Sequence, residues 1–338
     1  MQLVLDTRGL VVGKRNGCFY LKTEAQSRTI SPLKVSSIAV ASYCVLSTSA
    51  ILLAVEHQIP IYFLDPFGQV AARLGAASYG NDAALRRQQV LFRNTEAALK
   101  WCIELFAFKT AEQLQNVTLL GTRRSRFADE IAPLQVAIQE ELKVLEAIDS
   151  SDNHDSAVGM LAVKEALIAR YYWQTLAVAM PAPFDFDGRS RRPAQDAFNA
   201  ALNYCYGMLY SVVEAAVFSV GLDPYLGIWH ADQYNKPTLS YDLIEPFRPW
   251  MDALLIEQCL DGELTEAMFE TKDGGVWVAK KGKQHIIPLF HRYLNERCAF
   301  RENVTTRRNH IYRLAGNLRE VIISTSSADY PSSGETNS

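Results

Sequence analysis

The feature that most constrains this chain is a change of hydrophobic period about a quarter of the way along it. Up to about residue 75, apolar residues alternate at the strand spacing of two, as in Leu3/Leu5, Leu10/Val12, Cys18/Tyr20 and Ile38/Val40. Gly9, Gly13 and Asn16-Gly17 punctuate these runs as turns. Asp65-Pro66-Phe67-Gly68 fits a type I turn joining strand Ile59–Leu64 to strand Gln69–Leu74. Ser47–Glu56 reads as one short helix with a hydroxyl cap. After a small, polar stretch the period becomes helical, and residues 83–119, 126–148, 156–180 and 195–220 form long, glycine-poor segments. Pro181–Pro193 reads as a loop. These patterns predict an α+β chain with segregated classes. A small N-terminal β-sandwich-like domain occupies 1–75, a linker 76–84, and a larger all-helical domain 85–324. The serine-rich stretch 325–338 is expected to be a disordered tail.

Composition limits the function classes. No apolar run approaches the roughly 20 residues of a membrane span, and Met1–Arg8 lacks a basic segment followed by an apolar core. The expectation is a cytoplasmic protein with no membrane partner. The six cysteines are scattered without a CxxC pair, which predicts reduced, buried thiols rather than a zinc site or a disulfide framework. The net charge of -3 is not that of a nucleic-acid binder, so any nucleic-acid binding would have to come from local patches. Candidate patches are Arg123/Arg124/Arg126, Arg189/Arg191/Arg192, Lys280/Lys281/Lys283 and Arg307/Arg308, though each taken alone reads first as a solvated surface.

Three elements carry candidate chemistry. Glu165 falls inside the apolar stripe Val158, Leu161, Ile168, Tyr172, Leu176, where a carboxylate is costly without compensation. A cation, a metal, hydrogen bonds, a salt bridge to a core-edge arginine or snorkelling to solvent would each supply it. The helix closing at Val220-Gly221 carries a second face of Asn199, Asn203, Tyr206 and Tyr210, suited to a pocket, a phosphate backbone or an ordinary helix contact. In the segment 221–249, His230 lies in a turn-rich loop. Asp242 and Glu245 are three apart and share a face if helical, with Thr238 and Ser240 as possible N-caps. Pro246 and Pro249 point to a kinked or two-piece helix. An imidazole with two or three carboxylates is a donor set for Mg²⁺ or Mn²⁺.

The segment GLDPYLGIWHADQYNKPTLSYDLIEPFRP resembles the signature block of the CRISPR-associated protein one integrases. LAVKEALIARYYW around Glu165, the stretch from Arg189 to Pro224, and the N-terminal ISPLKVSSIAVASYCVLSTSAILLAVEHQIPIYFLDPFGQVAARL are similar to that family in the same order. One departure is Ala166, where many members have glycine. The resemblance covers about residues 3–320. It implies a DNA integrase and endonuclease that inserts short double-stranded fragments into a CRISPR repeat array, with the fragment 3′-hydroxyl as nucleophile. It implies Glu165, His230 and Asp242 as catalytic metal ligands, Glu245 as an accessory acid, and Mg²⁺ or Mn²⁺ as cofactor. Arg189, Asn199, Tyr206 and Arg248 become DNA contacts. The partners implied are fragment and repeat DNA, a second copy bound through the β domain, and the small CRISPR-associated protein two. A related mobile-element integrase and a non-catalytic DNA scaffold remain alternatives.

Overall fold

The computed structural model describes residues 2–35, 37–40, 43–64, 70–75, 83–150, 154–184, 186–191 and 193–329. The expected turn at 65–68, residues 76–82 of the expected linker, Arg192 and residues 330–338 lie outside them.

The N-terminal region holds β1 (Gln2–Leu5), β2 (Val11–Arg15), β3 (Cys18–Lys22), β4 (Ser27–Ile30), β5 (Ser37–Val40), β6 (Val45–Leu46), α1 (Thr48–Glu56), β7 (Ile61–Leu64) and β8 (Val70–Leu74). One sheet has the order β1-β5-β7-β8, parallel except for β8; the other runs β4-β3-β2-β6, antiparallel except for the β2–β6 pair. Ser47 caps α1 as expected, its hydroxyl accepting from Ala50 N. In β3 the alternation at Cys18/Tyr20 leaves those two half-buried, with Phe19 and Leu21 the buried pair. Leu21 pairs across the sheet with Val12, so the two share the buried face.

The helical region contains α2 (Ala83–Phe92), α3 (Glu96–Arg123), α4 (Ala128–Glu146), α5 (His154–Ala179), α6 (Ala197–Ser219), α7 (Thr238–Ile244) and α8 (Arg248–Leu260). It continues with β9 (Phe269–Lys272), β10 (Gly275–Val278), α9 (Lys280–Asn295), β11 (Arg297–Phe300), β12 (Asn303–Thr306) and α10 (Arg307–Asp329). The expected 83–119 helix is two, because Thr95 caps α3 through Ala98 N. Residues 325–329, expected in the tail, continue α10. Two hairpins interrupt the otherwise helical region. The first turns through Asp273-Gly274, both at positive φ, an Asp-Gly hairpin signal present in the sequence. It is docked beside the loop before α6, with Val276 N donating to Ala194 O; a Cβ on Gly275 would lie 2.4 Å from Pro193 Cβ. Gly221 closes α6 at φ +80 as the sequence predicts, with Leu222 N returning to Val217 O.

The apolar core divides into two clusters, one drawn from Leu3 to Ile61 and one from Leu85 to Ile322. Of the six cysteines, all reduced, Cys102, Cys205 and Cys259 are buried as expected, whereas Cys18, Cys44 and Cys298 are half-exposed. No helix among the described residues is long and apolar enough to cross a membrane.

Candidate active site

Three long helices, two loops and the start of a fourth helix close around a cavity of about 190 Å³. From α3 come Lys109 and Gln113, from α5 Glu165, from the loop before α6 Arg189 and Arg191, and from α6 Tyr206. His230, Glu245, Arg248 and Asp252 complete the wall.

The His230 loop is held by one carboxylate. Asp242 is fully buried, and its Oδ2 accepts from Ile228 N (2.7 Å) and Trp229 N (3.1 Å). Its Oδ1 accepts from His230 N (3.0 Å) and contacts His230 Nδ1 at 2.6 Å. That contact favours the proton on Nδ1 and leaves the Nε2 lone pair for a ligand, the arrangement used to orient metal-binding imidazoles. Trp229 anchors the loop on Phe106 of α3, ring centroids 5.2 Å apart. Gly227 permits the turn: a Cβ there would lie 2.5 Å from His230 O and 2.9 Å from Thr238 Cβ.

Asp242 and Glu245 do not share a face. After Ile244 the backbone tightens into one 3-10 turn, Glu245–Phe247, before α8 begins, the two-piece helix signalled by Pro246 and Pro249. Asp242 therefore lies behind the His230 loop, all its acceptor sites engaged, while Glu245 lines the cavity. The resemblance gives Asp242 as a ligand and Glu245 as an accessory acid; of the two, Glu245 lines the cavity and Asp242 does not. The hydroxyl caps are also absent. Pro237 is the cap residue, Thr238 instead donates to Tyr225 O, and Ser240 Oγ is buried without a partner.

Glu165 is half-buried between Leu161 and Ile168, and its compensating charge is Lys109, not an arginine. Lys109 Nζ lies 2.7 Å from Glu165 Oε1 and 2.7 Å from Glu245 Oε2. Burial alone would lower the lysine, but Glu245 and then Glu165 hold it above its ordinary range. Burial would raise Glu245, yet Arg248 and then Lys109 bring it down to about 2. Arg248 Nε is 3.0 Å from Glu245 Oε1, a charge contact in which the N–H is not aimed at the oxygen.

The remaining expected DNA contacts divide. Asn199 is fully buried and clamps the loop: its Oδ1 accepts from Arg189 Nη1 and Ser190 N, and its Nδ2 donates to Gly188 O and Asp196 Oδ2. It positions Arg189 rather than reaching solvent. Tyr206 turns its hydroxyl inward to Asp252, so its ring, not its hydroxyl, is what it offers the cavity; Arg189 and Arg248 lie 5.4 and 5.0 Å from that ring centroid. Arg189 bonds neutral acceptors, Asn199 and Asn203, and burial lowers its pKa. Of the other basic patches, Arg123 pairs with Asp261, Arg307 with Glu296, and Arg124 and Arg126 lie over Phe127.

Below the cavity is a network that the sequence did not reveal. Asp252, buried, accepts from Tyr206 and Tyr172 hydroxyls, and Asn116 donates to Tyr172 and to Pro249 O. Burial raises Asp252 to about 6, with the two tyrosines opposing the rise.

Glu165, His230 and Glu245 thus face one space with hard oxygen and nitrogen donors, a set that fits Mg²⁺ or Mn²⁺. Among the described residues no three acidic, histidine or cysteine side chains are already gathered at ligand spacing. Lys109 stands between the two glutamates instead.

The family profile described as CRISPR associated protein Cas1 matches residues 3–292. The CRISPR-associated endonuclease Cas1 1 of Thermus thermophilus is 30% identical over 298 residues, spanning 88% of this chain and 87% of its own. A casposase bound to integration product shares the fold at a TM-score of 0.81 and 22% identity, covering 96% of this chain and 91% of its own. A chain of a Cas6-RT-Cas1–Cas2 complex does so at 0.78 and 18% identity, covering 96% of this chain and 35% of its own.

Proposed function

From the premise that this chain belongs to the Cas1 family, we propose that it is a divalent-metal-dependent DNA integrase and endonuclease that joins short DNA fragments into a CRISPR repeat. The observation that carries the reading is the convergence of Glu165, His230 and Glu245 on a cavity rimmed by Arg189, Arg191 and Arg248.

In the proposed step the 3′-hydroxyl oxygen of a fragment attacks a target phosphorus. A new P–O bond forms as the bond to the target 3′-oxygen breaks, and the proton lost by the attacking hydroxyl ends on the departing oxygen. One phosphodiester replaces another, so the exchange needs no external energy source. Glu165, His230 Nε2 and Glu245 would hold Mg²⁺ or Mn²⁺, which supplies positive charge for the phosphorane and lowers the pKa of the attacking hydroxyl. Asp242 keeps His230 in the tautomer and direction this requires. Arg189 and Arg191 contact the backbone phosphates. Among the described residues neither forms an ion pair with a protein carboxylate, so their charge is available to an anion.

The reading extends to assembly. In it the chain acts as a homodimer through its N-terminal sheets; a small Cas2 subunit as partner is supported by the fold shared with a chain of a Cas6-RT-Cas1–Cas2 complex. The test uses a labelled branched DNA resembling a half-joined product, with purified protein and Mn²⁺ or Mg²⁺. Resolution of the branch, lost in His230→Ala while the fold persists, supports the proposal. No reaction with either metal, with and without the small subunit, leaves the DNA-binding scaffold as the better account.

A further inference from the structure

Two carboxylates brought together in a buried wall need a counter-charge. Here it is covalently attached: the Lys109 ammonium reaches both Glu165 and Glu245 at 2.7 Å, its side chain only 11% exposed. The ammonium also lies 5.5 Å from the Phe106 ring centroid, at the floor of the cavity. Arg248 provides a second positive charge to Glu245 but contacts its other oxygen, Oε1. Lys109 is therefore the group that stands between the two acids proposed as metal ligands.

An ammonium and a divalent ion cannot both take the space between the same two carboxylates. Their charges repel strongly where water is scarce, and the oxygen lone pairs that accept from Nζ are those an ion would need. Lysine suits a temporary role, since its charge is a compact point on a flexible four-carbon stem, unlike the planar fork of arginine. Once displaced, that stem stays anchored on α3, so the ammonium remains beside the cavity whose rim carries Arg189, Arg191 and Arg248. A phosphate entering there would give it a new partner.

We propose that Lys109 is a built-in placeholder cation, competing with the divalent metal for Glu165 and Glu245 and released to the DNA phosphate when both metal and DNA are bound. The inference rests on the metal-dependent reading above. It has a thermodynamic consequence. In the free protein the metal must expel Lys109, so its affinity is reduced. DNA phosphate, by receiving the ammonium, recovers part of that loss, so metal and DNA strengthen each other's binding by the same factor.

The experiment measures Mn²⁺ binding to the purified full chain by calorimetry and by the electron paramagnetic resonance of free Mn²⁺. It is done with and without a short duplex DNA, in wild type, Lys109→Met and Glu165→Gln. The placeholder predicts that Lys109→Met binds Mn²⁺ about ten-fold or more tightly than wild type without DNA, and that DNA no longer improves its affinity. A lysine that merely shaped the site would give the opposite sign, weaker binding on removal. If Lys109→Met does not fold, Lys109→Gln keeps a donor without the charge and carries the same prediction. Equal or weaker Mn²⁺ binding in the Lys109 variant, with wild-type binding abolished by Glu165→Gln, overturns the placeholder and leaves the metal-dependent reading intact. Absence of Glu165-dependent Mn²⁺ binding in every protein, with or without DNA, overturns both.

Discussion

The two regions of this molecule bury different things. Among the described residues 2–75, the buried set is apolar apart from Ser37: Leu3, Leu5, Val12, Phe19, Leu21 and Ile38 set its character. The helical region also has a large apolar core, yet it buries Lys109, Gln113, Asn116, Asp242, Glu245 and Asp252 within or beside one cavity. Burying a charge is costly unless another group meets it, so a core that only holds shape excludes charges. The N-terminal sheets fit that description. The charges beside the cavity are tolerated because they are met: Asp242 by three backbone N–H groups, Lys109 by two glutamates, Asp252 by two tyrosines.

The contrast can be broken most severely at Asp242. Asp242→Ala is expected to cost about 3–5 kcal/mol, because it leaves buried N–H groups without an acceptor, and to abolish DNA processing by releasing the His230 loop. Urea unfolding with a branched-DNA assay checks both. In the N-terminal region, Leu5→Ala should cost about 2–5 kcal/mol through the cavity it opens. The processing rate per folded molecule should not change. A rate that falls with stability there would erase the distinction between the regions.

Asp252 sharpens it through pH. Its folded pKa of about 6 lies above the ordinary aspartate range, so between roughly pH 4 and pH 6 the folded protein keeps a proton that the unfolded chain has lost. Stability should therefore fall as pH rises through that window and level off above it, by about 3 kcal/mol in total. Asp252→Asn should remove this slope, read as the difference in unfolding free energy between the two proteins across pH 4–7.5. The smallest expected effect is at the rim. Arg191→Ala should reduce the slope of log DNA affinity against log salt by about one, with little change in stability.

Much of this could be read before the fold was known, and the reasons are local. The switch from period two to period 3.6 separated the regions, and Glu165 stood out because a carboxylate interrupted an apolar stripe. Gly221 announced the end of α6, and Pro246 and Pro249 the broken helix after it. The failures come from contacts between distant segments. Lys109, Gln113 and Asn116 also interrupt a buried face at helical spacing, yet a lysine on a helix usually snorkels; its role depends on Glu165, 56 residues away. Tyr172 and Asp252 meet across 80 residues. The separate placement of Asp242 and Glu245 was not readable because helical spacing puts them together. The 3-10 turn after Ile244 sends one behind the loop and the other into the cavity.

The central claim is that Glu165, His230 and Glu245 hold a divalent metal against a DNA phosphate, with Asp242 behind them. The most direct test is a Mn²⁺ anomalous-scattering map from crystals of the full chain bound to branched DNA. The account predicts a peak within bonding distance of Glu165, His230 Nε2 and Glu245, touching a phosphate oxygen and not Asp242. A peak ligated by Asp242 in place of Glu245, or DNA seated in the cavity with no metal peak, would contradict it.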